Sequence, residues 1–195
     1  MDFITREQAD VIGEVANICT GNAATALSMI INRPTNITTP KVEILSGEES
    51  LTSDERVLVK VPYTKGLDGT NLMVLNVRDA QIIANLMMGG DGTGIMGDSI
   101  DELTMSAISE AMNQMCGTIA TSMASILDTP TDIGFPLVNS RDHKTFEIPE
   151  ELCNGTDIVK VTLRLTVGDL IDSELLQLYP LSIVEQIVKK QEEKK

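Results

Sequence analysis

Tryptophan is absent from the chain, and only two Tyr and three Phe occur among its 195 residues. A core so poor in aromatics must be aliphatic and thioether-rich, and ten Met supply the adaptable filler. The three cysteines, Cys19, Cys116 and Cys153, are odd in number and form no CxxC pair. That pattern argues against a disulfide scaffold or a cysteine-ligated zinc, and fits a reducing compartment. A single histidine, His143, removes most His-based triads and His-ligated metal centres. Basic residues are scarce as well: 15 Lys and Arg stand against 29 Asp and Glu, a net charge of −14. Such a surface repels phosphate backbones and anionic lipid heads, so neither nucleic acid nor polybasic docking on a membrane is expected. No apolar run approaches the roughly 20 residues of a membrane-spanning helix. The N-terminus, MDFITREQAD, lacks the basic, apolar, small-residue order of a secretion signal. A cytoplasmic protein is the expectation.

What remains is an ordinary globular composition, 42% hydrophobic and 23% charged, long enough for one large domain or two small repeats. Internal similarity favours a duplication. Glu14-Val15-Ala16-Asn17 with Gly21 returns as Glu110-Ala111-Met112-Asn113 with Gly117, an offset of 96 residues. The same offset pairs Ala24-Thr25 with Ala120-Thr121 and Ile30 with Ile126. Val59-Lys60-Val61 matches Val159-Lys160-Val161 at an offset of 100. The chain reads as one domain, residues 1–195, made of two repeats, about 5–90 and 101–191, joined by a Gly-rich connector at 89–97.

Each repeat carries the same pattern. From Thr5 to Ile31, Ile12, Val15, Cys19, Ala23, Ala26, Leu27 and Ile30 recur at helical spacing, with Thr5 and Gln8 as a capping box and Pro34 past the end. Strands follow at Thr39–Leu45, Arg56–Tyr63 and Thr70–Val77, the last two joined by the Gly66–Gly69 turn, and then a short helix at Asp79–Met88. The second repeat gives a helix over Asp101–Leu127, strands near Asp132–Val138, Asp157–Val167 and Glu174–Tyr179, and a helix over Leu181–Gln191. The fold class is α/β (α+β): a pseudo-twofold helix–three strands–helix unit, with two long helices packed on a largely antiparallel sheet.

Gly89-Gly90-Asp91-Gly92-Thr93-Gly94 could cradle a phosphate, but it follows a helix and lacks the Gly-Lys-Ser/Thr ending, so a flexible connector is the expectation. The stretch Asn139–Gly155 reads as a surface loop holding Cys153 and a solvated, non-catalytic His143. Lys189–Lys195 reads as a charged, fraying end or as a point of truncation before another domain.

At about 100° per residue, Asp10, Glu14, Asn17 and Gly21 form a stripe opposite the apolar face of the first helix. Ser106, Glu110, Asn113 and Gly117 do the same on the second. A glycine in mid-helix costs about 1 kcal/mol against Ala, and its recurrence at one stripe position invites another surface to approach closely. A carboxamide offers a donor and an acceptor, enough to hold one water in a fixed orientation. The carboxylate three residues before it can pair with a partner's lysine or arginine and set the register. Neither group is a strong nucleophile. The pair therefore suits aligning water against an electrophile that a partner already activates, as in phosphoryl transfer. An exposed Glu/Asn pair is more often merely solvated. The repetition of this one amid a diverged helix speaks for function.

The pattern Asp/Ser-x3-Glu-x2-Asn, here Asp10, Glu14, Asn17 and Ser106, Glu110, Asn113, resembles the signature of the CheC/CheX/FliY family of chemotaxis phosphatases. Ile12–Ile18, Gly21–Ser28 and Asn36–Pro40 look like that family's first active helix and following strand. Leu86–Gly92, Ala111–Met115 and Val167–Ser173 are similar to its flagellar-switch branch. The resemblance, from about Thr5 to Lys190, implies a pseudo-twofold fold with two active sites acting on the phospho-aspartate of the response regulator CheY. It implies that Glu14 and Glu110 pair with the regulator's lysine and that Asn17 and Asn113 orient the attacking water. Magnesium is then held by CheY, and no cofactor by this chain. Flagellar switch proteins such as FliM and FliG are implied partners, through a domain outside this sequence, at the cytoplasmic face of the flagellar basal body. Many members of that branch carry an N-terminal CheY-binding segment and a C-terminal FliN-like domain, and this sequence holds neither, so docking is expected to be weaker. The competing reading is a non-catalytic switch scaffold or binding module, because the middle domain of FliM shares the architecture without the motif.

Overall fold

In the computed structural model, residues 3–46, 50–52, 55–97, 99–140 and 145–195 are described. The first half runs α1 (Arg6–Ile31), β1 (Thr35–Leu45), β2 (Ser50–Thr52), β3 (Glu55–Lys65), β4 (Gly69–Asn76) and α2 (Val77–Met87). The second runs α3 (Glu102–Leu127), β5 (Asp132–Ile133), β6 (Leu137–Ser140), β7 (Thr145–Glu147), α4 (Glu150–Cys153), β8 (Ile158–Val167), β9 (Ile171–Pro180) and α5 (Leu181–Glu193).

Both long helices start and stop by the same chemistry. Thr5 Oγ1 accepts from the Gln8 N–H and Gln8 Oε1 accepts from the Thr5 N–H, a complete capping box that opens α1. Asn32, left-handed at φ 54°, closes it by donating its N–H to Ser28 O. On α3, Asp101 caps the Thr104 N–H, and Asp128, at φ 50°, closes onto Ala124 O. The cap positions 5 and 101, and 32 and 128, keep the 96-residue offset of the motifs.

The main sheet is antiparallel, in the order β1-β8-β9-β4-β3, with β5 and β6 both on the far side of β3. Its centre is the pairing of β4 with β9, where Leu72 faces Leu178 and Val74 faces Leu176. Each half lends its first strand to the other: β1 pairs with β8, and β5 and β6 pair with β3. The short helices cross over as well, α2 packing on α3 and α5 on α1. The halves are interleaved about a pseudo-twofold axis.

The helices cover one face of the sheet over an aliphatic and Met-rich core that includes Ile12, Leu27, Met73, Met112, Met115 and Met123. Its buried aromatics are Tyr63 and Tyr179; Tyr179 donates its hydroxyl to Gln177 Oε1 at 2.6 Å. Phe3 and Phe135 are 74% and 60% exposed, so these two do little packing. On the opposite face, Leu58, Leu72, Val74, Leu176 and Leu178 pack under Ile148, Leu152 and Cys153.

Several boundaries differ from the sequence reading. β1 begins at Thr35, not Thr39, and accommodates Pro40 through a register shift between Thr38 and Lys41, as an edge strand can. The strand near Asp132–Val138 is split by Gly134-Phe135-Pro136, where the Gly134 N–H donates to Pro62 O at 2.8 Å. Asn139–Gly155 is no loose surface loop: it contains β7, which pairs with β2, and α4, and it buries Cys153. His143 lies outside the described residues. The connector is tied down rather than free. The Gly92 N–H donates to Asn85 Oδ1 at 2.8 Å, Arg78 to Ile95 O at 2.7 Å and Gln81 to Ser99 O at 2.8 Å. The charged tail is helical as far as Glu193. Ala26, Ile30 and Ile126 lie half-buried at the margin of the core rather than within it.

Candidate functional site

The two stripes sit on helices that run in opposite directions across the pseudo-twofold axis. Asn22 Nδ2 donates to Ser122 Oγ at 2.9 Å, while Ala26 and Met29 of α1 share a groove with Gln114, Gly117 and Thr118 of α3. The inner faces are held by Ile12, Val15, Cys19, Ala23 and Leu27 on α1, and by Ile108, Met115, Ile119 and Met123 on α3. Burial of these residues fixes the rotation of each helix, and that rotation turns the stripes outward.

The predicted residues lie where the spacing places them. Glu14 and Asn17 are exposed; Glu110 is exposed and Asn113 half-buried. Each pair stays on its own helix, so the structure presents two separate Glu/Asn pairs rather than one shared cluster. Neither carboxamide has a hydrogen-bonding partner among the described residues, which leaves the donors and acceptor of each available. Gly21 and Gly117 open onto free space: a Cβ built on either meets no atom within 4 Å. Internal packing therefore does not require glycine at these two positions.

Charge on the stripes is simpler than the sequence suggests. Arg6 pairs with Asp10 at 3.0 Å and also donates to Val42 O at 2.9 Å, which anchors it over β1. With Asp10 compensated, and Ser106 at the matching place on α3, each stripe shows one unpaired carboxylate. Glu110 differs from Glu14 in one respect, because its Oε1 accepts from Gln114 Nε2 at 2.9 Å. Sequence reasoning missed Arg6, Gln114 and Met29. The first two carried a signal, since Arg6–Asp10 and Glu110–Gln114 are both i,i+4 pairs. Met29 did not, because only the crossing of the helices places it in the groove.

Burial pushes the Cys19 and Cys116 thiols up to about 12, which keeps both protonated and poor as nucleophiles. Among the described residues no group of three or more His, Cys, Asp or Glu side chains is placed to hold a metal ion. No helix among them is long and apolar enough to cross a membrane. What the site can do is receive a partner's cationic group on a carboxylate and, one helical turn away, hold a water.

Comparison with known proteins follows the same residues. Residues 7–44 and 103–134, which contain both stripes, match the sequence profile of the CheC-like family. The chain is 40% identical over 190 residues to the flagellar motor switch phosphatase FliY of Bacillus subtilis, covering 96% of this chain and 50% of that protein. It is 26% identical over 128 residues to the CheY-P phosphatase CheC of the same organism, covering 63% of this chain and 61% of CheC. The chain thus spans about half to three-fifths of the length of these two relatives. The crystal structure of Thermotoga maritima FliY superposes with a TM-score of 0.87 at 35% identity, covering 98% of this chain and 99% of that one.

Proposed function

The chain belongs to the CheC-like family, in its FliY group, and from that premise we propose that it is a phosphatase hydrolysing the phospho-aspartate of the response regulator CheY. The names of its relatives support the reaction class: one is called a motor switch phosphatase and the other a CheY-P phosphatase. The observation that carries the proposal is the outward presentation, twice over, of a Glu and an Asn one helical turn apart with the carboxamide unengaged.

Each residue then has a role fixed by its chemistry. Glu14 or Glu110 takes the ammonium group of a lysine on CheY, which sets the depth and register of docking. Asn17 or Asn113 reaches the phosphoryl group, accepting a hydrogen bond from one water and turning its lone pair towards phosphorus. The water oxygen forms the new P–O bond as the bond to the aspartyl oxygen breaks. Inorganic phosphate and a free carboxylate result, and the proton of the water leaves with phosphate. Such a reaction is driven by alignment and charge compensation, so a helix face without a nucleophile or base of its own is sufficient. The open space above Gly21 and Gly117 lets the regulator's loops approach the helix backbone. In this reading Mg2+ would be held on CheY, and the chain itself carries no cofactor. FliM and FliG are its neighbours at the cytoplasmic face of the flagellar basal body.

The direct test is a time course of acyl-phosphate loss from phosphorylated CheY. Substoichiometric amounts of this chain should speed the decay over many turnovers. A decay indistinguishable from the spontaneous one would refute the proposal.

A further inference from the structure

The two stripes agree at the Glu, Asn and Gly positions and part at the residue four places after the glutamate. On α3 this is Gln114, exposed, with its Nε2 on Glu110 Oε1 at 2.9 Å. On α1 it is Ile18, 50% exposed, which has no hydrogen-bonding side chain. Glu110 is thereby held through one oxygen, and its Oε2 remains open to a visitor. Among the described residues Glu14 has no such tether. The surroundings differ too. Met29, 81% exposed, shares the α3 groove with Gln114 and Gly117, whereas the 96-residue offset places Ser125 at the corresponding point beside the α1 site.

A glutamate that must be frozen when a cation docks loses side-chain freedom on binding; one already fixed by a neighbour loses less. We propose that Gln114 is a positioning residue of the α3 site: it holds Glu110 oriented for the partner's ammonium group and makes the α3 site the tighter-binding of the two. This rests on the phosphatase reading given above. The effect acts on docking and not on water alignment, because Asn113 is untouched.

The sites can be separated by silencing one at a time. In an Asn17→Ala background, Gln114→Ile copies the α1 arrangement onto α3. It should raise KM for phosphorylated CheY by about 1.4- to 2.3-fold, the range an exposed i,i+4 side-chain contact can supply, with kcat unchanged. In an Asn113→Ala background, Ile18→Gln should lower KM by a similar factor. A merely structural role for Gln114 would move the thermal midpoint and leave KM in place. Unaltered KM in both backgrounds overturns the assignment while leaving Asn-dependent hydrolysis intact. If the parent chain itself hydrolyses phosphorylated CheY no faster than the spontaneous rate, the phosphatase reading falls, and this inference with it.

Discussion

Asn17 and Asn113 are polar side chains with open hydrogen-bonding capacity, whereas Asp79 spends its polarity inside the fold. Asp79 is buried at the start of α2, where it accepts from the Ser173 hydroxyl and its own N–H donates to Asn76 Oδ1 at 2.7 Å. Burial raises its carboxyl above the ordinary range, and the hydrogen bonds from Ser173 and Asn76 offset only part of that rise. An acid harder to ionise in the folded chain than in the unfolded one binds its proton more tightly when folded. It therefore favours folding below the unfolded value and costs stability as pH climbs through the raised one. Asp79→Asn keeps a hydrogen-bonding group while removing the charge. Its thermal midpoint, relative to the parent, should gain more at pH 7 than at pH 4. An equal gain at both values would show that the carboxylate's charge is not the cost. Nothing in the sequence singles this aspartate out, because its burial comes from β9 folding back 94 residues later.

The long helices were the most legible elements. The cap of α1 is spelled out as Thr5 with Gln8, and the buried faces of both helices follow the helical period closely enough to predict which side holds Glu14, Asn17, Glu110 and Asn113. Ala26 was placed in the core by the same period but lies in the groove, because the period gives direction and not the distance to the neighbouring helix. Strands were read less well. The sequence reading already carries β1 across Pro40 but starts it at Thr39, because Thr35–Thr38 become strand only through their pairing with Arg164–Val167 of β8. The segment that forms β7 and α4 lacks a long period, and its burying residues, Ile148, Leu152 and Cys153, show their purpose only against the far face of the sheet. At this scale the glycines of the stripes give a sharp expectation. Gly21→Ala and Gly117→Ala should each stabilise the helix by about 0.5–1 kcal/mol, since the added methyl meets open space. A rise of about 2–4 °C in thermal midpoint corresponds to 1 kcal/mol in a chain of this size. Each substitution should slow CheY-P hydrolysis at its own site, because the methyl stands where the partner approaches. Unchanged hydrolysis would mean the glycines serve something else.

Across the whole molecule, the exchange of first strands and of short helices makes each half depend on the other for its sheet edge and its helix packing. That interleaving was beyond the sequence: the repeat predicts two like units, and the pairings of β1 with β8 and of β5 and β6 with β3 arise from tertiary assembly. One consequence is a shared platform on which two sites face outward from antiparallel helices. The chain carries a net charge of −14, which favours cationic over anionic approach to its surface in general. The central claim is that two independent carboxamides align the attacking water. Phosphorylated-CheY decay measured with the parent chain, Asn17→Ala, Asn113→Ala and the double variant tests it most directly, with helical content checked in each. Each single variant should keep part of the activity, and the double variant should fall to the spontaneous rate while remaining folded; a folded double variant as fast as the parent would contradict the account.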